Sequence, residues 1–206
     1  MWSLRVARVM VSWAVALGSG PVCAQSVQKS VNGGSTWTTL PAPAATATSM
    51  RTTVTPGKAT IFRVQETGCN TIPSAWTASA PVTATITQET SASIGYSTGW
   101  THQACTACSG GGLEQTSAKD ATATISLTGV QAAALVLADR PSDGKATVAT
   151  DAGAATTINT HAPTAKNLRY CYAANWATDG NHTMVLTNLA TATHPDLQLD
   201  AIVTLR

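Results

Sequence analysis

The sequence predicts an all-β protein built from two β-sandwiches. Apolar and polar residues alternate over short stretches, and Gly, Pro, Asn and Asp cluster between them, which is the pattern of strands joined by turns. Thr and Ala dominate the composition, and Thr at alternate positions suits the solvated face of a strand. Helical periodicity is confined to residues 129–138, a segment that is short and flanked by strand patterns.

Length and charge narrow the class of protein further. The chain has 206 residues, which suits one large or two small domains, and we expect domains at 1–88 and 89–206. The net charge is only +2 and no basic block occurs, so the electrostatic footprint of a nucleic-acid-binding protein is missing. No apolar run reaches the length of about 18 residues that a membrane-spanning helix needs.

The N-terminus has the features of a secretory signal peptide. A charged region, an apolar stretch and a small-residue cleavage site follow one another at Arg5 and Arg8, at residues 9–17 and at Val22-Cys23-Ala24. Under this interpretation Met1–Ala24 would be removed and the rest of the chain exported.

The same residues also fit the start of a β-sandwich, and this interpretation explains more of the sequence. Val9, Val11 and Trp13 alternate on one face of a predicted strand, and a second strand over Ser26–Ser30 turns at Asn32-Gly33-Gly34. Without the first of these strands, the remaining ones would leave one sheet without partners and an apolar face exposed. We therefore expect strands here.

Several motifs of the first 88 residues come in the order typical of one family. They are Trp13, the hairpin of residues 30–37, Val54 with Pro56-Gly57, Phe62-Arg63-Val64, and the stretch Ser74–Ser79. In these motifs the segment resembles a fibronectin type III domain, which implies an immunoglobulin-like sandwich.

Some positions depart from that family. Gln25 and Thr60 stand where the family has Tyr, and the first strand is short or missing because only Met1–Arg8 is available to form it. The resemblance therefore implies a trimmed domain, such as a chain begun inside a longer open reading frame. It also implies a disulfide between Cys23 and Cys69, which it places at the same end of two neighbouring antiparallel strands.

The second half continues in strand and turn patterns. Its motifs are Tyr96-Ser97 with Trp100, Gly111-Gly112, Ala121–Ile125, Pro141–Asp151, Gly180 with His182 and Leu186, and Asp200-Ala201. In their order these motifs resemble a bacterial galactose-binding-like jelly roll, a carbohydrate-binding-module-like domain that often follows fibronectin type III domains. Ala152 stands where the family has Gly in an Asp-Gly turn, a departure that bears on the tightness of that hairpin.

Four residues have spacing that suits either a disulfide or a metal. His102, Cys105 and Cys108 with Cys171 have the composition of a Cys₃His zinc site. The alternatives are a Cys105–Cys108 disulfide, a bond from either of them to Cys171, or free thiols. An exported all-β protein favours a disulfide, and the pairing of Cys171 stays open.

The sequence favours binding over catalysis. It contains neither a Gly-x-Ser-x-Gly elbow nor a paired catalytic Glu spacing, and it points to no cofactor. His182 follows an Asp-Gly-Asn turn, where a structural hydrogen bond is expected. Sugar rings stack on exposed aromatic side chains. The candidate ligand-binding residues are Tyr96, Trp100, Tyr170, Tyr172 and Trp176, of which Trp176 is the one expected to be exposed.

We therefore expect a non-catalytic extracellular binding or adhesion accessory, part of a larger multidomain chain, that recognises carbohydrate or a cell-surface polymer. One alternative is a structural spacer that binds nothing. Another is a small secreted hydrolase.

Overall fold

The computed structural model describes residues 6–15 and 20–206, and it confirms the all-β class. The described residues form two compact units, one ending at Ala84 and the other running from Thr85 to Arg206. This division lies close to the boundary expected after residue 88. In the part of the chain that is described, no helix is long and apolar enough to cross a membrane.

The first unit contains two antiparallel sheets. Its strands are β1 (Ala7–Ser12), β2 (Val22–Ser30), β3 (Thr38–Thr39), β4 (Ser49–Val54), β5 (Ile61–Gly68) and β6 (Thr77–Ala78). One sheet pairs β1 with β4, and the other has the order β3-β2-β5-β6. Both sheets bury apolar side chains, Val9 and Val54 from the first and Val27 and Phe62 from the second.

The N-terminal segment forms strands in the structure. Val9 is buried in β1 and Val11 is half-buried, whereas Trp13 lies just beyond the last residue of the strand. The first strand expected for the fibronectin-like sandwich falls largely on residues 1–5, outside the described residues. The resemblance to fibronectin type III domains is not tested by this pairing and stays a prediction.

A buried glutamine links β2 to the segments that follow β1 and precede β4. Gln25 accepts a hydrogen bond from Trp13 Nε1 at 3.0 Å, and its own amide donates to the carbonyl oxygens of Ala45 at 2.8 Å and Ala47 at 3.1 Å. Both polar atoms of the side chain are therefore satisfied in a residue that is almost fully buried. This explains how a polar residue is accommodated where the family resemblance predicts Tyr.

The second unit is a larger, curled sheet structure. Its strands are β7 (Ala84–Gln88), β8 (Ile94–Tyr96), β9 (Trp100–Ala104), β10 (Gly112–Thr116), β11 (Thr122–Asp139), β12 (Lys145–Thr150), β13 (Thr156–Asn159), β14 (Lys166–Asn188) and β15 (Leu197–Leu205), with a short 3-10 turn at Ser109–Gly111. The main sheet has the order β13-β12-β14-β11-β15-β10-β9, with β7 paired to β15 and β8 to β11.

Two long strands, β11 and β14, run through the whole of this sheet, from the region of β8 to the region of β15. β11 pairs with β8 through residues 123–125 and with β15 through residues 132–137, while β14 runs beside it over both regions. The pairing of β11 with β14 is interrupted by register shifts around Gly129, whose φ is +58°. Such irregularities bend a sheet, so one pair of strands can enclose the apolar core that contains Ile125, Leu135 and Leu186.

The hairpin between β12 and β13 keeps a tight turn without the expected glycine. The amide of Gly153 donates to the carbonyl of Thr150 at 2.8 Å, and the two central residues have positive φ, 51° at Asp151 and 58° at Ala152. This is the backbone of a type I′ turn, in which glycine would be the less strained choice at the position of Ala152.

Candidate functional site

An aspartate, a tryptophan and a histidine come together at the β12–β13 turn of the second unit. The indole nitrogen of Trp176 donates to Oδ2 of Asp151 at 3.0 Å, and Nδ1 of His182 lies 2.8 Å from the same oxygen. The rings of Trp176 and His182 are stacked, with centroids 3.7 Å apart and planes 10° apart. We call Asp151, Trp176 and His182 the tryptophan site.

The hairpin holds Asp151 in place. Its backbone amide donates to the carbonyl of Thr183, and its Oδ1 accepts the amide of the same residue, both at 2.9 Å. That backbone hydrogen bond, followed by the one from His182, lowers the pKa of the Asp151 carboxyl below its ordinary value. The site therefore presents a carboxylate that stays ionised, and 42% of its side-chain surface is exposed.

His182 makes the structural hydrogen bond that the sequence predicts, but the predicted turn before it is wrong, because residues 179–181 are strand residues within β14. Since Asp151 carries the acceptor, Nδ1 of His182 is assigned the proton, which leaves Nε2 as an acceptor. That Nε2 is buried, and a side chain at Gly180 would meet it at 2.9 Å. The imidazole supports the indole and does not present a reactive nitrogen to solvent.

The other predicted ligand-binding aromatics are half-buried and lie elsewhere. The ring centroids of Tyr96 and Trp100 are 5.1 Å apart. The Tyr96 hydroxyl donates a hydrogen bond to the carbonyl of Glu89 at 2.8 Å. Both rings, together with Tyr172, pack against the main core cluster. Tyr170 is half-buried on β14. The five candidates therefore do not form one continuous aromatic surface around Trp176, which itself also packs on the core and is half-exposed.

Sequence reasoning missed an aromatic and cationic group in the first unit. The guanidinium of Arg63 lies over the ring of Trp37 at 3.9 Å and over the ring of Trp76 at 4.3 Å. Oε1 of Gln28 accepts from Nε and Nη2 of Arg63 at 2.8 and 2.6 Å. These residues come from separate segments. The one signal in the sequence is the strand alternation, which places Arg63 on the face opposite to the buried Phe62.

The structure joins four of the five cysteines. Cys23 bonds to Cys69 across β2 and β5, and Cys105 bonds to Cys108. Since those last two thiols are used in a disulfide, the zinc alternative does not describe this structure. Cys171 is free, and burial, followed by the charge of Asp139, raises its pKa to about 12.

His102 instead lies beside two carboxylates. Its Nδ1 is 3.3 Å from Oε1 of Glu114 and 3.9 Å from Oε1 of Glu89. Burial raises the pKa of the Glu89 carboxyl above its ordinary value. Burial likewise raises the pKa of the Asp200 carboxyl to about 7. Across residues 6–15 and 20–206, the structure shows no group of three or more His, Cys, Asp or Glu side chains that could hold a metal ion.

No family model matches the sequence, and no curated protein matches it. Among solved structures, the chain is similar to a family two carbohydrate esterase from Cellvibrio japonicus, with 9% identity, a TM-score of 0.46, and coverage of 60% of this chain and 34% of that one. It is similar to CBM35 from Cellvibrio japonicus Abf62, with 16% identity, a TM-score of 0.45, and coverage of 60% and 96%.

A third solved structure similar to the chain is the insecticidal crystal protein Cry2Aa, with 12% identity, a TM-score of 0.47, and coverage of 59% of this chain and 21% of that one. The chain thus spans about a third of the esterase and a fifth of the crystal protein. An esterase, a CBM35 and an insecticidal protein differ in function, so these likenesses indicate nothing about a ligand.

Proposed function

We propose that the chain is a non-catalytic binding module that recognises carbohydrate or a cell-surface polymer through the tryptophan site. One observation carries this proposal. Trp176 is a half-exposed indole that is held in a single orientation beside an exposed, ionised carboxylate. Sugar rings stack on such indoles while adjacent polar groups bind their hydroxyls.

The polar groups around the indole suit hydroxyl ligands. Oδ1 of Asp151 accepts one hydrogen bond, from the amide of Thr183, and has a second lone pair for a sugar hydroxyl. Oδ1 of Asn181 accepts the amide of Gly129 at 3.1 Å, which leaves the side-chain NH₂ to donate. Asp151 is exposed, so a ligand at the ring finds a hydrogen-bond acceptor beside it, and the exposed Asn181 offers a donor elsewhere on β14.

The indole is oriented before any ligand arrives. Its hydrogen bond to Asp151 and its stacking on His182 restrict both side-chain torsions of Trp176. A ligand therefore does not lose affinity to the ordering of this ring, a cost of about 0.5–1.5 kcal/mol for a mobile interface side chain. Because His182 covers one face of the ring, a sugar is limited to the surface that remains.

Two observations support a role without catalysis. Nε2 of His182, the nitrogen that a general base would use, is buried against Gly180. Burial keeps the thiol of Cys171 protonated near neutral pH, so it lacks the thiolate that a nucleophile needs. We extend the proposal to an extracellular location within a larger multidomain chain, since disulfides persist in oxidising compartments.

Glycan-array and insoluble-polysaccharide binding by the full chain tests this function. We expect binding to fall by about 30-fold or more in Trp176→Ala, the loss of a central aromatic contact worth about 2 kcal/mol. Asp151→Asn keeps the side-chain shape but removes the charge, and we expect a smaller loss. The matched control is Trp76→Ala, which removes a half-buried indole from the first unit and should leave binding unchanged.

Misfolding is separated from loss of binding by the thermal transition of each variant, which must stay cooperative. Binding that survives Trp176→Ala in a folded variant would place the ligand elsewhere. Absence of binding to any glycan would favour the spacer alternative, and turnover on a panel of esters and peptides would favour the hydrolase.

A further inference from the structure

Two imidazole rings pack against each other on the second unit, apart from the tryptophan site in sequence and in contacts. His161 follows β13 and His194 lies in the loop between β14 and β15. Their ring centroids are 4.2 Å apart and the ring planes are tilted by 41°. Neither residue contributes to the function proposed above, so their juxtaposition needs its own explanation.

Backbone contacts hold both histidines. Nδ1 of His194 lies 2.8 Å from the carbonyl oxygen of Pro141, and the amide of His194 donates to the carbonyl of Thr191 at 2.9 Å. The amide of His161 donates to Oδ1 of Asn159 at 3.1 Å, and a backbone bridge joins His161 to the segment that precedes Pro141. The backbone therefore places the two residues side by side, and the ring of His194 is also held by its own hydrogen bond.

The hydrogen bond to Pro141 decides the tautomer of one ring. A carbonyl oxygen only accepts, so Nδ1 of His194 carries the proton and Nε2 keeps its lone pair. Donation of the remote ring N–H to a carbonyl is the arrangement that orients metal-binding histidines and makes the other nitrogen a better ligand. Among residues 6–15 and 20–206, no group forms a hydrogen bond with the ring nitrogens of His161, and its side chain is exposed.

We propose that His161 and His194 form a two-histidine chelating site for a divalent transition-metal ion such as Zn²⁺, Ni²⁺ or Cu²⁺. Imidazole nitrogen is a preferred ligand of these ions, whereas Ca²⁺ and Mg²⁺ prefer oxygen. Two metal–nitrogen bonds of about 2.0–2.1 Å at a tetrahedral angle span about 3.4 Å. Two imidazole rings that bind one ion at this angle have centroids about 5 Å apart. The centroids here are 4.2 Å apart, so chelation requires the exposed His161 ring to move outward by about 1 Å and to turn a nitrogen toward the ion.

The remaining coordination positions would be filled by water or by an external ligand. Within the described residues no third His, Cys, Asp or Glu joins the pair to make a closed site. An open two-nitrogen site binds more weakly than a structural zinc site with four protein ligands, and it leaves the metal accessible.

Zinc titration of the full chain, followed through the ring ¹⁵N resonances of its histidines, tests this proposal. We expect the resonances of His161 and His194 to shift together and saturate with one ion per chain. Calorimetry should show at least a tenfold loss of affinity in His161→Gln and in His194→Gln. The matched control is His102→Gln, which removes an exposed histidine from a different set of contacts and should leave this binding event intact.

The zinc titration of the unsubstituted chain tests the proposal even if a substituted chain misfolds, because its ¹⁵N resonances report on each ring separately. A shift of one ring without the other would overturn the proposal, since a chelate requires both. Equal affinity in the doubly substituted chain, or an equal response to Ca²⁺, would overturn it as well.

Discussion

Asp143 is a fully buried carboxyl whose charge should cost the native state stability at neutral pH. Its Oδ1 accepts from Nε2 of Gln198 at 3.3 Å, and its Oδ2 is buried with no hydrogen-bond partner in the described structure. Burial, and then the negative charge of Asp196, raise its pKa from 3.8 to about 7, although Arg140 acts in the opposite direction. The perturbation that isolates this effect is Asp143→Asn, which keeps the shape and fixes the group as neutral.

The sign and size follow from the two pKa values. Because the folded state binds this proton more tightly than the unfolded chain, the stability contributed by protonated Asp143 is complete below pH 4. It is lost as the pH rises to about 7. The difference between 3.8 and about 7 corresponds to about 4 kcal/mol as an upper limit. We expect Asp143→Asn to be close to neutral at pH 4 and to stabilise the second unit progressively up to pH 8.

Urea unfolding at a series of pH values, read by hydrogen exchange of peptides that cover Leu197–Leu205, measures this unit without interference from the first. Asp179→Asn is the matched control because Asp179 is exposed. A stability difference between Asp143→Asn and the native chain that does not change with pH, or a variant less stable than the native chain at pH 8, would refute the reasoning.

Three further changes should alter stability. Gln25→Leu leaves the indole N–H of Trp13 and two backbone carbonyls without their partner, and chemical denaturation should show a loss of about 1–3 kcal/mol. Replacing both Cys23 and Cys69 by Ser opens a loop with a sequence separation of 46 and should cost about 4 kcal/mol. Reduction of the unsubstituted chain should cost at least as much, because it also opens the Cys105–Cys108 bond. A methyl group at Gly144 would collide with a backbone carbonyl of a neighbouring loop, so Gly144→Ala should lower the melting temperature while Gly153→Ala, at a roomier turn, lowers it less.

Local alternation was enough to predict where strands form. Val9 and the stretch that became β2 were identified because the side-chain period of a strand is two residues and appears within a few positions. The extent of β11 and β14 was not predictable in the same way. Their bends arise around Gly129, and a bulge is set by cross-strand register, which leaves no periodic signal.

Of the residues in the candidate site, the sequence predicted one but not its partners. Trp176 could be singled out from composition, because few aromatic residues occur and one lies among small polar neighbours. Its partner Asp151 is 25 positions away and was predicted only as a turn residue. The packing of Arg63 on two indole rings was not predicted for the same reason, since Trp37 and Trp76 belong to separate segments.

By itself, the sequence determined the all-β class and the approximate strand positions, since each depends on short-range patterns. Only the tertiary structure decided that Trp176 is backed by His182 and tied to Asp151, and that His161 meets His194. The physical reason is that hydrogen bonds and ring stacking between distant residues depend on sheet order and twist, which bring chain segments together without any trace in local spacing.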